Sequence, residues 1–236
     1  MSAPSLPPAF QLVGLDRETA AFERAVRAAP RGVEDGTVYR SERDDLLDMA
    51  LVLEPEAPAA DVLDAVYVLA IAGCEALART VPPGISVTCA WPGELLLAGA
   101  RAGGVRAAVA PTAGQTMPPP WLVLGLCLQL APLGDLPDRL PDRTSLAEQG
   151  AGDVAAAALL EALSRAFLHW AGRWREEGPA AVYAGWNRLC YRRGEPGMLT
   201  LHNEPFAGPI EGLDAKGRFV IGRHRLPLTD ALELLA

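Results

Sequence analysis

Apolar residues recur along this chain at two spacings, and the switches between them mark out its elements. Residues 19–29, TAAFERAVRAA, bring Phe22, Ala25, Val26 and Ala29 together at helical spacing, which predicts an amphipathic helix. Residues 36–40 (GTVYR) and 48–53 (DMALVL) read as strands, and the charged connection SERDD makes them a hairpin. Asp61 follows a Pro/Ala-rich segment and precedes an apolar run, so it is expected to cap a helix over 62–79. Asp64 adds a favourable charge in its first turn, and Val62, Val66, Leu69 and Leu77 form its apolar stripe.

After a PPG turn at 82–84, strands are predicted at 85–91, 94–98 and 104–110, then a Pro-rich loop, TAGQTMPPP, and the strand WLVLGLCLQL. These runs are apolar throughout more than alternating, which indicates a sheet covered on one face by helices. A second long helix is expected from Asp153 as cap to Gly178, with Leu160, Leu163, Phe167, Trp170 and Trp174 three or four residues apart. The two tryptophans read as core. Beyond about residue 195 the chain turns to short strands separated by Gly, Asn and Pro, with DAKG as a hairpin turn and a short helix at 228–235.

Composition narrows the partners. A chain of 236 residues, 50% hydrophobic and 21% charged, can bury a sizeable core. A net charge of -8 and a pI near 5.0 argue against nucleic acid or an anionic membrane as partner. The opening MSAPSLPPAFQLVG lacks a basic n-region and an apolar h-region, so the expected location is cytoplasmic. The longest apolar stretch, 61–79, is broken by Asp61, Asp64 and Glu75 and does not read as a membrane span. Cys74, Cys89, Cys127 and Cys190 are scattered without a C-x-x-C, so they read as reduced thiols and no metal site is expected from them.

One stretch carries candidate chemistry: residues 89–105, CAWPGELLLAGARAGGV. Its W-P-x-[acid], apolar strand and G-x-R-x-G-G resemble the biotin protein ligases and the wider biotin/lipoate A/B protein ligase family. The family signatures K-W-P-N-D, G-R-K-x-G-G and G-x-G-x-N stand here as Ala90-Trp91-Pro92-Gly93-Glu94, Gly99-Ala100-Arg101-Ala102-Gly103-Gly104 and Gly125-Leu126-Cys127-Leu128-Gln129. The segment from SLAEQG to WNRL is similar to the helix and turn that close the ligase catalytic domain. IEGLDAKGRFVI is similar to a strand pair of the small C-terminal barrel. The resemblance covers most of residues 12–228 and implies an α+β fold. Residues 1–192 would form a mixed, mostly antiparallel sheet covered by helices, and residues 193–236 a small SH3-like, β-barrel-like domain.

The resemblance also implies a reaction: biotin or lipoate condenses with ATP to an acyl-adenylate, and the acyl group passes to a carrier-protein lysine. Concentrated negative charge in such a step calls for cations and backbone N–H groups. Arg101 would then be the phosphate cation and Glu94 a Mg²⁺ ligand, the two catalytic candidates. Trp91, Pro92, Gly93, Gly99, Gly103, Gly104, Arg40, Arg43 and Gly125 would line the substrate and nucleotide site, with Trp91 as a wall and the paired glycines permitting close approach. Each also has a purely structural reading: Trp91-Pro92 ends a strand, the glycines permit a bulge, and Arg101 is a solvated charge.

The departures fall on chemistry-bearing positions. Ala90 replaces the ligase lysine, Gly93 and Glu94 replace asparagine and aspartate, Ala100 replaces arginine, and Arg101 replaces lysine with different reach and geometry. The arginine-rich adenylate loop is absent; in RSERDDLLD, Arg40 and Arg43 are opposed by Glu42, Asp44, Asp45 and Asp48. Loss of two preorganised contacts would remove on the order of 10⁴ in rate. The candidates are therefore an ATP-dependent ligase, an ATP-free acyltransferase using Cys127, a binding module for the vitamin or its carrier, and a subunit that forms a homodimer through its sheet edge.

Overall fold

The computed structural model describes residues 4–111, 117–132 and 142–235, so residues 112–116 of the Pro-rich loop lie outside the described residues. The larger sheet is built from β1 (Gln11–Leu15), β2 (Thr37–Ser41), β3 (Leu46–Leu53), β4 (Val87–Ala90), β5 (Glu94–Leu97), β6 (Ala100–Val109) and β7 (Leu122–Gln129). Their order is β1-β2-β3-β7-β6-β5-β4; β1 runs parallel to β2, and all other neighbours are antiparallel.

β7 shows how the residues choose faces. Leu122, Leu124, Leu126 and Leu128 point to the main core, while Val123, Gly125 and Cys127 alternate to the opposite side. Each buried leucine contributes about 1.5–3 kcal/mol of transfer free energy. The main core is covered by α3 (Ala65–Ala78), α4 (Ala156–Glu177) and α5 (Pro179–Leu189). The opposite face carries α1 (Ala21–Ala28), whose Phe22, Ala25 and Ala28 pack on Tyr39, Ala50, Val52 and Val123.

Several local expectations give way to tertiary contacts. Asp61 does not cap the third helix: a short α2 (Ala59–Val62) precedes it, and Asp64 stands at the cap position of α3 without a capping bond. Its carboxylate instead accepts the hydroxyl of Tyr183 from α5. α3 has no single stripe, because it lies between the sheet and α4 and α5 and is buried on nearly all sides. Its Glu75 is satisfied by the indole N–H of Trp170 at 2.9 Å. α4 begins at Ala156, not beside Asp153, and has no side-chain cap. The segment after Gly178, expected as a turn, continues as α5 with Pro179 at its first position.

The second sheet holds β8 (Pro196–Leu201), β9 (Glu204–Leu213), β10 (Phe219–Ile221) and β11 (His224–Leu226), all antiparallel in the order β11-β10-β9-β8. His202 and Asn203 turn β8 into β9 with positive φ angles of 49° and 64°. Leu213, Phe219, Ile221 and the terminal Leu235 of α6 (Leu232–Leu235) belong to the same core as the large sheet. Asn187 ties the units by donating to the Leu213 carbonyl at 2.9 Å and accepting its N–H at 2.6 Å. Among the described residues no helix is long and apolar enough to cross a membrane.

Candidate functional site

The residues around the Trp-Pro turn fall into two groups, one facing the small sheet and one on the α1 side of the large sheet. Trp91 belongs to the first. It is buried, its indole N–H donates to the Tyr67 hydroxyl at 3.1 Å, and its ring lies on Phe219 at 5.3 Å with 9° between the planes. Tyr67 passes the bond on to the Gly217 carbonyl at 2.9 Å. Pro92 follows through a cis peptide bond. Gly93 is enclosed: a Cβ there would come 3.1 Å from both Leu235 and the Val105 carbonyl. A cavity of about 210 Å³ opens beside this turn, lined by Trp91, Glu94, Cys190, Met198, Ile210 and Phe219 among others.

The glycines of the second motif divide by role. Gly99 makes the β5–β6 turn with φ 81°, close under the Tyr191 hydroxyl. The register between β5 and β6 shifts after Leu95, which leaves Ala102 as the extra residue of a bulge. At Gly103 a Cβ would lie 2.0 Å from the Cys127 carbonyl oxygen, so close strand approach requires glycine there. Gly104 is less confined, with Gly93 O at 3.2 Å and Arg101 Nη2 at 3.6 Å from the same hypothetical atom. Gly125 makes room for Phe22, whose ring would stand 2.6 Å from a Cβ.

Arg43, Arg101 and Arg106 of the large sheet and its β2–β3 connection reach the α1 face, and each meets a carboxylate, while Arg24 of α1 itself lies over the Tyr39 ring. Arg101 pairs with Glu94 at 3.1 Å, Arg106 pairs with Glu23 of α1 at 2.7 Å, and Arg43 holds both carboxylate oxygens of Asp45 side-on through its Nε and Nη2. Arg43's hydrogen bonds hold Asp45 below the usual carboxylate range. Arg106 also lies over the Phe22 ring, 4.1 Å from its centroid. The β2–β3 connection is only Glu42 to Asp45, so no lid rises from it. Asp48, opposite Cys127 in the β3–β7 register, accepts the Ala21 N–H and the Ser41 hydroxyl, each at 2.8 Å. Burial first, then the Asp48 charge, push the Cys127 thiol up to about 11, although Arg43, Arg106 and Arg101 pull it down. Such a thiol is protonated at neutral pH and a poor nucleophile.

Arg40 is not part of this group. It pairs in register with Met49 of the main core, while Tyr39 beside it faces α1. Its side chain lines a separate cavity with Leu12, Gly14, Glu42 and the first turn of α4. The structure therefore brings Glu94, Arg101 and Gly104 together and adds Arg43 and Gly125 on the same face, with Trp91 and Gly93 at the edge turned to the small sheet. Sequence reading missed Arg106, Glu23 and Phe22. Their only signal was the helical stripe of 19–29 and the alternation of 104, 106 and 108.

A magnesium ion is ordinarily held by one or two carboxylates together with phosphate oxygens. Glu94 offers one carboxylate already engaged by a guanidinium, and among the described residues no group of three or more His, Cys, Asp or Glu converges on a metal position. These residues do not fit a resident magnesium site.

A model of the biotin/lipoate A/B protein ligase family matches residues 6–188. A structure from Silicibacter sp. TM1040, described as a biotin protein ligase-like protein of unknown function, is 33% identical, with 98% of this chain and 99% of that chain covered and a TM-score of 0.86. The chain belongs to the biotin/lipoate A/B protein ligase family. The biotin protein ligase of Aquifex aeolicus in complex with biotin and ATP shares the fold at 18% identity, covering 92% of this chain and 95% of that one, with a TM-score of 0.74. The Helicobacter pylori biotin acetyl coenzyme A carboxylase synthetase with bound biotinylated ATP does so at 13% identity, 92% and 99% coverage and a TM-score of 0.60. A search of curated proteins found no match.

Proposed function

We propose that this chain uses the ligase fold to bind and not to activate. It holds a small acyl or ring compound of the biotin or lipoate kind, or the carrier domain that bears one, in the cytoplasm, and does not form an adenylate from ATP. The supporting observation is that Arg43, Arg101 and Arg106, the arginines that the large sheet presents around the second motif, are paired with Asp45, Glu94 and Glu23. A triphosphate arriving there meets paired charges beside further carboxylates and not a cationic cage. The cavity beside Trp91 is small for a whole vitamin and takes part of a ligand, with residues 193–236 as the domain that closes it.

A second reading, the ATP-dependent ligase, is favoured by one feature. The Arg101–Glu94 pair is exposed, with 45% and 39% of the two side chains open to solvent. Such a pair is worth at most about 1 kcal/mol. A nucleotide can therefore separate it, leaving Arg101 as the phosphate cation.

The experiment is incubation with ATP, Mg²⁺ and either biotin or lipoate, read by mass spectrometry for an acyl-adenylate or a labelled carrier. A melting shift from the vitamin alone without either product supports the binding reading. Adenylate formation overturns it in favour of the ligase. No shift from vitamin, carrier domain or nucleotide overturns both.

A further inference from the structure

Outside that site, the densest reactive chemistry is a group of thiols under the edge of the large sheet. Cys89 of β4 and Cys190, which ends α5, form an isolated parallel bridge, and the Tyr191 N–H donates to the Cys89 carbonyl at 2.8 Å. Bridged strands lie about 4.8 Å apart. That is inside the window of roughly 4.4–6.8 Å that Cα atoms span across a disulfide. Both side chains belong to the main core, so they share one side of the bridge. Cys74 of α3 is a third buried thiol beside Cys89.

Access differs among the three. Cys74 and Cys89 are 1% and 0% exposed, whereas Cys190 borders the cavity beside Trp91. Burial pushes the Cys190 thiol up to about 11 and holds Cys89 well above its ordinary value. Both cysteines are free, and at neutral pH they rest as protonated thiols.

We propose that Cys89 and Cys190 form a pair poised to close into a disulfide, inert at neutral pH like Cys127 and closed at alkaline pH by a low-molecular-weight disulfide that enters through the cavity, thereby fastening β4 to the end of α5. Cys190 thiolate attacks one sulfur of the small disulfide, forming a mixed disulfide and releasing the first small thiol. Cys89 thiolate then attacks Cys190 Sγ, forming the internal bond and releasing the second. The two protons of the protein thiols end on the two released thiols, and the two electrons reduce the small disulfide. The closed bond fixes one wall of the cavity, whatever that cavity binds.

The test treats the full chain with 2-hydroxyethyl disulfide at alkaline pH, where thiolate is populated. Peptide mass mapping is expected to find a Cys89–Cys190 linkage two hydrogens lighter than the dithiol, reversed by reductant, with an upward shift in melting temperature. Cys190→Ser removes the linkage. Cys89→Ala, which keeps a small apolar group in the core, leaves Cys190 trapped as a stable mixed disulfide. The proposal is overturned by a stable adduct on wild-type Cys190 without ring closure, by linkage to Cys74, or by no reaction at either residue while the unfolded chain reacts fully.

Discussion

The Trp91 indole lies flat on the Phe219 ring, centroids 5.3 Å apart and planes 9° from parallel, although 128 positions separate them (219 − 91). This contact, with the Trp91–Tyr67–Gly217 hydrogen-bond chain, joins the motif-bearing turn to the small sheet. Motif and small sheet are therefore one packed unit.

Removing either link has a measurable cost. Phe219→Ala is expected to lose about 3–5 kcal/mol by cavity formation. Tyr67→Phe strands two buried polar groups and loses about 1–3 kcal/mol. Urea unfolding gives both values, and the Trp91 contribution to near-ultraviolet dichroism falls with the first. A Phe219→Ala protein with unchanged dichroism contradicts the stacking.

Asp64 predicts a pH signature. Burial raises its carboxyl to about 6, the Tyr183 hydrogen bond opposes that rise, and Asp61 adds to it. Because the folded value lies above 3.8, the associated stability is fully present below about pH 4 and is lost as pH rises through about 6. Asp64→Asn keeps an acceptor for Tyr183 without the charge. Relative to wild type, its stability is expected to climb by up to about 3 kcal/mol between those limits. Parallel pH profiles of the two unfolding midpoints contradict this.

The paired glycines separate packing from ligand approach. Gly103→Ala drives a Cβ into a backbone oxygen and is expected to cost more than about 3 kcal/mol. Gly104→Ala meets gentler contacts and costs about 1 kcal/mol or less. Equal losses of stability in denaturant titrations contradict this division.

Much of the fold was legible because local and tertiary signals agreed. The leucines of 122–128 alternate into one core, and the Leu160–Trp170 stripe packs where its spacing says. β1 went unread because a short, half-exposed edge strand carries little apolar pattern. The Asp61 and Asp153 caps failed because capping is a weak local preference. The site was legible only as motif positions. Glu23 and Arg106 stand 83 residues apart, so nothing local in the sequence joins them. Arg40 and Arg43 look alike in the string RSERDD, yet strand alternation sends Arg40 to the other face.

The most direct test of charge pairing against nucleotide is calorimetric titration of a non-hydrolysable ATP analogue with Mg²⁺ into wild type and Glu94→Gln. We expect wild type to bind no more tightly than about 1 mM, worth roughly 4 kcal/mol, and the variant with its freed Arg101 to bind several-fold better. Micromolar binding by wild type that is lost in Arg101→Ala would contradict the binding-only reading.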